Sequence, residues 1–132
     1  MSSIFSEFFK SGRNNKKPSE IVYENEKPTD KETFKIKATV EGVVQGVGFR
    51  YTTKHLADKL KVDGIVQNEN DGSVYVEAVG SESQIDDFIT ELAKGPSPSA
   101  VVDKVRIEYD DSVTNYNGFG IRHWKCANLH VL

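Results

Sequence analysis

Gly42, Gly46 and Gly48 lie in a nine-residue run, Gly-Val-Val-Gln-Gly-Val-Gly-Phe-Arg, that ends on Arg50. Glycine reaches positive φ at little steric cost, so such a run can turn tightly and aim successive backbone N–H groups at one point. A helix starting beside it would add the positive end of its dipole at the same place. Arg50 contributes a guanidinium that can pair two phosphoryl oxygens at once. The combination suits a tetrahedral dianion. The plainer account is a Gly-rich turn next to a solvated arginine, and the run alone does not choose between the two. It is not a P-loop, because the Gly-Lys-Ser/Thr ending is absent. Nor does it form Gly-x-Gly-x-x-Gly, since Tyr51 stands where the last glycine would be after Gly46 and Gly48.

Other chemically capable side chains are scattered. His55, His123 and His130 show no metal-ligand spacing and read as separate surface or partly buried histidines, so no metal and no cofactor is expected. Cys126 has no adjacent motif that marks a nucleophile, and Asp86 and Asp87 read as the polar face of a helix. The chain holds 17 basic and 20 acidic residues, a net charge of -3, without the clustered excess of Lys and Arg that nucleic acid requires. An acidic chain that binds an anion must do so locally, with a few convergent groups. One cysteine excludes an internal disulfide framework and suits a reducing compartment. No run approaches the ~20 apolar residues of a membrane span, and the first dozen residues lack an apolar core and cleavage site for secretion. A cytoplasmic, monomeric protein with no membrane or nucleic-acid partner is the expectation.

The loop needs elements to hold it. Phe34, Ile36, Ala38 and Val40 alternate with Lys35, Lys37, Thr39 and Glu41, the period of a half-buried strand that would deliver the chain into the loop. Residues 51–61 read as a helix, with Leu56 and Leu60 one turn apart. Residues 62–68 and 73–79 read as paired strands joined by Asn70-Asp71-Gly72, a turn sequence. Ser81 with Gln84 forms a capping-box pattern, followed by Ile85, Phe88, Ile89 and Leu92 at helical spacing, and Gly95-Pro96 ends that helix. Residues 101–109 and 119–123 read as two further strands, and residues 95–99 as a rigid connector. The order implies an α+β, ferredoxin-like βαββαβ sandwich. Its antiparallel sheet carries two helices on one face and a short extra C-terminal strand, and its other face is expected to be wet.

Residues 1–32 carry mixed charges and little periodicity, and read as a flexible extension, with residues 124–132 an unpatterned tail. Ile4, Phe5, Phe8 and Phe9 could share one face of a short helix there, a docking arm set against the plainer reading of a frayed terminus. Residues 33–123 would form the folded domain.

Two motifs in this domain resemble those of one family. Residues 42–50 match Gly-x-Val-x-Gly-Val-x-Phe-Arg, the acylphosphatase signature, at every fixed position. Gly64-Ile65-Val66-Gln67-Asn68, followed by Gly72, Val74 and Gly80, is similar to the family's second signature, with Ile65 where an aromatic is commoner. The resemblance implies an enzyme that hydrolyses the carboxyl-phosphate bond of a small acyl phosphate without metal. It assigns phosphate binding to Arg50 and to the backbone of Gln45, Gly46, Val47, Gly48 and Phe49, and positioning of water to Asn68. Outside the resemblance, Asn68 reads as a strand-end residue bonding a turn. RNA-recognition domains share the topology, but this chain lacks their aromatic-rich central strands. Two further functions suit the same fold: a non-catalytic anion sensor, and an accessory domain of a larger carbamoyl-transfer enzyme. The presence of both Arg50 and Asn68 argues against the sensor. The short chain argues against the accessory domain.

Overall fold

The computed structural model describes residues 19–124. Eight elements follow in order: β1 (Glu20–Tyr23), β2 (Phe34–Val43), α1 (Phe49–Leu60), β3 (Asp63–Asn68), β4 (Val74–Gly80), α2 (Glu82–Lys94), β5 (Val101–Tyr109) and β6 (Phe119–Trp124). They make one sheet in the order β1-β5-β2-β4-β3-β6 with both helices packed on it. The four central strands are antiparallel, as the alternation predicts. The sheet as a whole is mixed, because both outermost pairings, β1 with β5 and β3 with β6, are parallel. Each outer strand covers a row of backbone donors and acceptors that would otherwise be left open at an edge.

β1 departs from the expected flexible extension. Val22 and Ile21 pair with Arg106 and Val105, Ser19 donates its hydroxyl to Ala93 O, and Asn25 exchanges hydrogen bonds with the Tyr109 backbone. Tyr23 stacks on Tyr109, and Lys27 bridges Glu82 and Asp86 of α2. Hydrogen bonds to distant residues order a stretch whose own apolar content could not. The aromatic stripe at residues 4–9, and with it Cys126 and His130, lies outside the described residues.

The core is built from the two periods read in the sequence. Phe34, Ile36, Ala38 and Val40 of β2 face Ile85, Phe88, Ile89 and Leu92 of α2 and Phe49 and Ala57 of α1 across a dry interior. α2 starts as its capping box predicts: Ser81 accepts from the Gln84 N–H, and Gln84 accepts from the Ser81 N–H. Among the described residues, no helix is long and apolar enough to cross a membrane.

The other face of the sheet is only partly wet. It carries the ion pairs Arg106–Glu41 and Lys37–Asp110, as its charges suggest. Ile65, Gln67 and Val79 on the same face are nevertheless buried, and Tyr116 lies across it with its hydroxyl on Glu77. Burial is the main influence raising the pKa of both Tyr75 and Tyr116, with the shared Glu77 carboxylate adding to it. Tyr116 belongs to the long connection from β5 to β6, whose path a strand pattern does not reveal.

One buried group in the core is unmatched. Thr53 Oγ1, on the inner face of α1, has no hydrogen-bond partner, whereas the neighbouring Thr52 hydroxyl reaches the Gly48 and Phe49 carbonyls. An unsatisfied buried hydroxyl costs about 1–3 kcal/mol. Thr53→Val, which replaces it with a methyl of similar shape, should raise unfolding stability by about 1 kcal/mol in urea titration. A loss of stability would mean that the hydroxyl is satisfied in solution.

Candidate active site

The loop between β2 and α1 is pinned at its two ends and open between them. Val44 and Phe49 are both fully buried, which explains why the pattern calls for apolar side chains there. Between these anchors Gly46 and Gly48 take φ of 76° and 78°, the left-handed region that other residues reach only at a cost of about 1–2 kcal/mol. Among the described residues no backbone carbonyl takes the N–H groups of Gly46, Val47, Gly48, Phe49 or Arg50. Gly42 does not belong to this cradle. It sits at a bulge where β2 passes β5, and a Cβ on it would lie 2.1 Å from the Val101 carbonyl oxygen.

The two helices begin differently. α2 starts with a complete capping box and Glu82 in its first turn, so its positive end is neutralised internally. α1 begins at Gly48 with no side-chain cap and no acidic residue in its first turn. Its free N–H groups and dipole are left for an external anion. The helix starts at Phe49 instead of residue 51, which places Arg50 inside the first turn.

Arg50 Nη1 donates to the Arg122 carbonyl at 3.2 Å. Arg122 lies on β6 opposite Gln67, and the next residue of β3 is Asn68. Neighbouring strands run about 5 Å apart, so the guanidinium and Asn68 share one corner of the sheet. Asn68 pairs across with Val74, a core residue, and its side chain is therefore on the helix-bearing face. Its Oδ1 is buried and accepts no hydrogen bond. The turn after β3 is closed instead by Asp71, which accepts from the Ser73 N–H and hydroxyl. Those two bonds hold the Asp71 carboxyl below the usual range. The side-chain bonds that close this turn thus come from Asp71 and not from Asn68 Oδ1.

Gln45 joins the two halves of the site. Its side-chain Nε2 donates to Glu69 O and Ser73 O, both at 2.8 Å, fastening the loop to the hairpin immediately after Asn68. The sequence suggests only a backbone role for Gln45. No local signal foretells the side-chain contacts, which span 24 and 28 residues.

The other sequence candidates stay apart from this corner. His55 is exposed on α1, and Asp86 pairs with Lys27 beside β1. His123 is placed on β6 by its backbone. Among the described residues no group of three His, Cys, Asp or Glu side chains is placed to hold a metal. A wide recess lies far from the loop, lined by Lys27, Pro28, Phe34 and Glu82. A small dianion is held by convergent donors more than by enclosure, so the loop is the better candidate.

Comparison with known proteins identifies the family. The acylphosphatase family model matches residues 36–121. The acylphosphatase of Thermotoga maritima is 46% identical over 89 residues, covering 67% of this chain and 97% of its own. That of Mannheimia succiniciproducens is 53% identical over 85 residues, covering 64% and 92%. Among solved structures, acylphosphatase from Bacillus subtilis superposes with a TM-score of 0.65 at 35% identity, over 67% of this chain and 98% of that one. Full-length HypF, in a phosphate- and nucleotide-bound form, gives a TM-score of 0.65 at 31% identity, over 71% of this chain and 12% of that one. The matched region runs from β2 to β6 and includes the loop, Arg50 and Asn68: the chain belongs to the acylphosphatase family.

Proposed function

We propose that the corner formed by residues 45–50 and Asn68 is the centre at which this chain hydrolyses acyl phosphates to carboxylate and inorganic phosphate. The uncapped, acid-free start of α1, set between Gly48 and Arg50, carries this reading. The phosphoryl group sits on the free N–H groups of the loop, with Arg50 pairing its equatorial oxygens. Water is held by Asn68, whose unfilled Oδ1 accepts a hydrogen bond from one water O–H and so turns a lone pair of the water oxygen toward phosphorus. The P–O bond to the acyl group breaks as the bond to water forms, the carboxylate leaves with the bonding pair, and the proton of the attacking water passes to a phosphate oxygen.

A carboxylate is a weak base and departs without a general acid. The loose phosphoryl-transfer transition state then needs positioning and charge stabilisation on its equatorial oxygens, which fixed N–H donors and a guanidinium supply. A neutral amide suffices to align water, and no step calls for a metal. The single cysteine suits a cytoplasmic setting.

Benzoyl phosphate hydrolysis, followed by ultraviolet absorbance in excess chelator, is the direct test. Fast turnover that chelator leaves unchanged is expected. A folded protein that binds inorganic phosphate but turns nothing over would be an anion-binding module instead, and loss of turnover in chelator would overturn the metal-free mechanism.

A further inference from the structure

We infer that Ser97 is a positioning residue for phosphate binding, a latch that orients one peptide of the cradle; this rests on the reading of the loop as the phosphoryl site. Ser97 is 2% exposed, and its hydroxyl donates to the Val47 carbonyl across fifty positions of sequence at 2.5 Å. The Val47–Gly48 peptide is trans, and a trans peptide carries its C=O and N–H on opposite sides. Holding the Val47 oxygen therefore aims the Gly48 N–H away from Ser97. That N–H has no carbonyl acceptor among the described residues.

The latch answers a weakness of the loop. Gly48 tolerates both signs of φ, so rotation of the Val47–Gly48 peptide about its flanking bonds meets little steric resistance. The freedom that lets glycine form the nest also lets the peptide turn its oxygen toward the anion. A hydrogen bond to that oxygen from the far side selects the productive orientation.

Ser97 is itself rigidly mounted. α2 stops at Lys94, with Gly95 at φ 83° and its N–H on Leu92 O. The Ala100 N–H then closes a turn on Ser97 O at 3.0 Å. Pro98 occupies the second position of that turn, where its fixed φ is already the one needed. Ala100 is fully buried, and Val101 next to it lies against Gly42 at the root of the loop. The connector at residues 95–99 thus carries a side chain to the cradle as well as joining two elements.

Ser97→Ala should raise the inhibition constant of inorganic phosphate against benzoyl phosphate hydrolysis, and KM with it, about tenfold, the scale of one weakened hydrogen bond to a charged group. Val113→Ala, which disturbs a buried residue away from the loop, should lower the melting temperature and leave the phosphate constant unchanged. In the wild-type protein, saturation with phosphate should move the Gly48 amide proton downfield in two-dimensional NMR. That measurement can still overturn the latch where Ser97→Ala does not fold. An unchanged phosphate constant in folded Ser97→Ala, or a Gly48 amide that stays still while those of Gly46 and Phe49 move, overturns the latch. A wild-type protein that neither binds phosphate nor hydrolyses benzoyl phosphate overturns the proposed function instead.

Discussion

Arg50→Ala is expected to abolish turnover and phosphate binding together. The guanidinium is the cationic side chain in the first turn of α1, and among the described residues it donates to a carbonyl, Arg122 O, which leaves its charge uncancelled. A bidentate guanidinium–phosphate pair is about twice as strong as a neutral hydrogen bond and strengthens as charge gathers on the transferring group. Loss of it should lower kcat/KM by about 10³ or more, roughly 4 kcal/mol. Arg50→Lys keeps the charge without the planar fork and should recover only a small part of this. Steady-state kinetics with benzoyl phosphate, and competition by inorganic phosphate, read both effects. Near wild-type phosphate affinity in Arg50→Ala would remove Arg50 from the proposed site.

Asn68→Ala should separate the two functions that Arg50 combines. The carboxamide is assigned to water and not to phosphate, so kcat should fall about 10²-fold or more while the phosphate inhibition constant stays nearly unchanged. Stability should be unchanged or slightly higher, because the buried Oδ1 accepts no hydrogen bond in the resting protein. A residue that gives up a satisfied hydrogen bond for activity trades stability for function. Equal losses of phosphate affinity in the Arg50 and Asn68 variants would contradict the division of roles.

How much of this is readable before folding depends on the range of the interactions. Gly46, Gly48 and Phe49 declare the tight turn and the helix start, because these are set by φ preferences and neighbouring N–H groups. The capping box at Ser81 and Gln84 is equally local, and the structure reproduces it bond for bond. Gly42 misleads for a related reason. A glycine in a loop motif signals either a turn or a close approach, and only the distance to the Val101 carbonyl tells which. β1 is hidden because four residues with weak alternation form a strand only where a neighbour offers an open edge, here that of β5.

The βαββαβ order, the faces of the two helices and the family are all written in the chain itself, since each rests on residue types at short, regular spacing. Which groups hold the cradle in its working shape emerges only on folding. Gln45 reaches the hairpin beyond Asn68, and Ser97 reaches Val47 from the far end of α2. Such contacts follow from strand register and from where a turn delivers its side chain in space, and neither is encoded in any local pattern. The same holds for Arg50 and Asn68, eighteen positions apart in sequence and brought to one corner because β6 lies parallel beside β3.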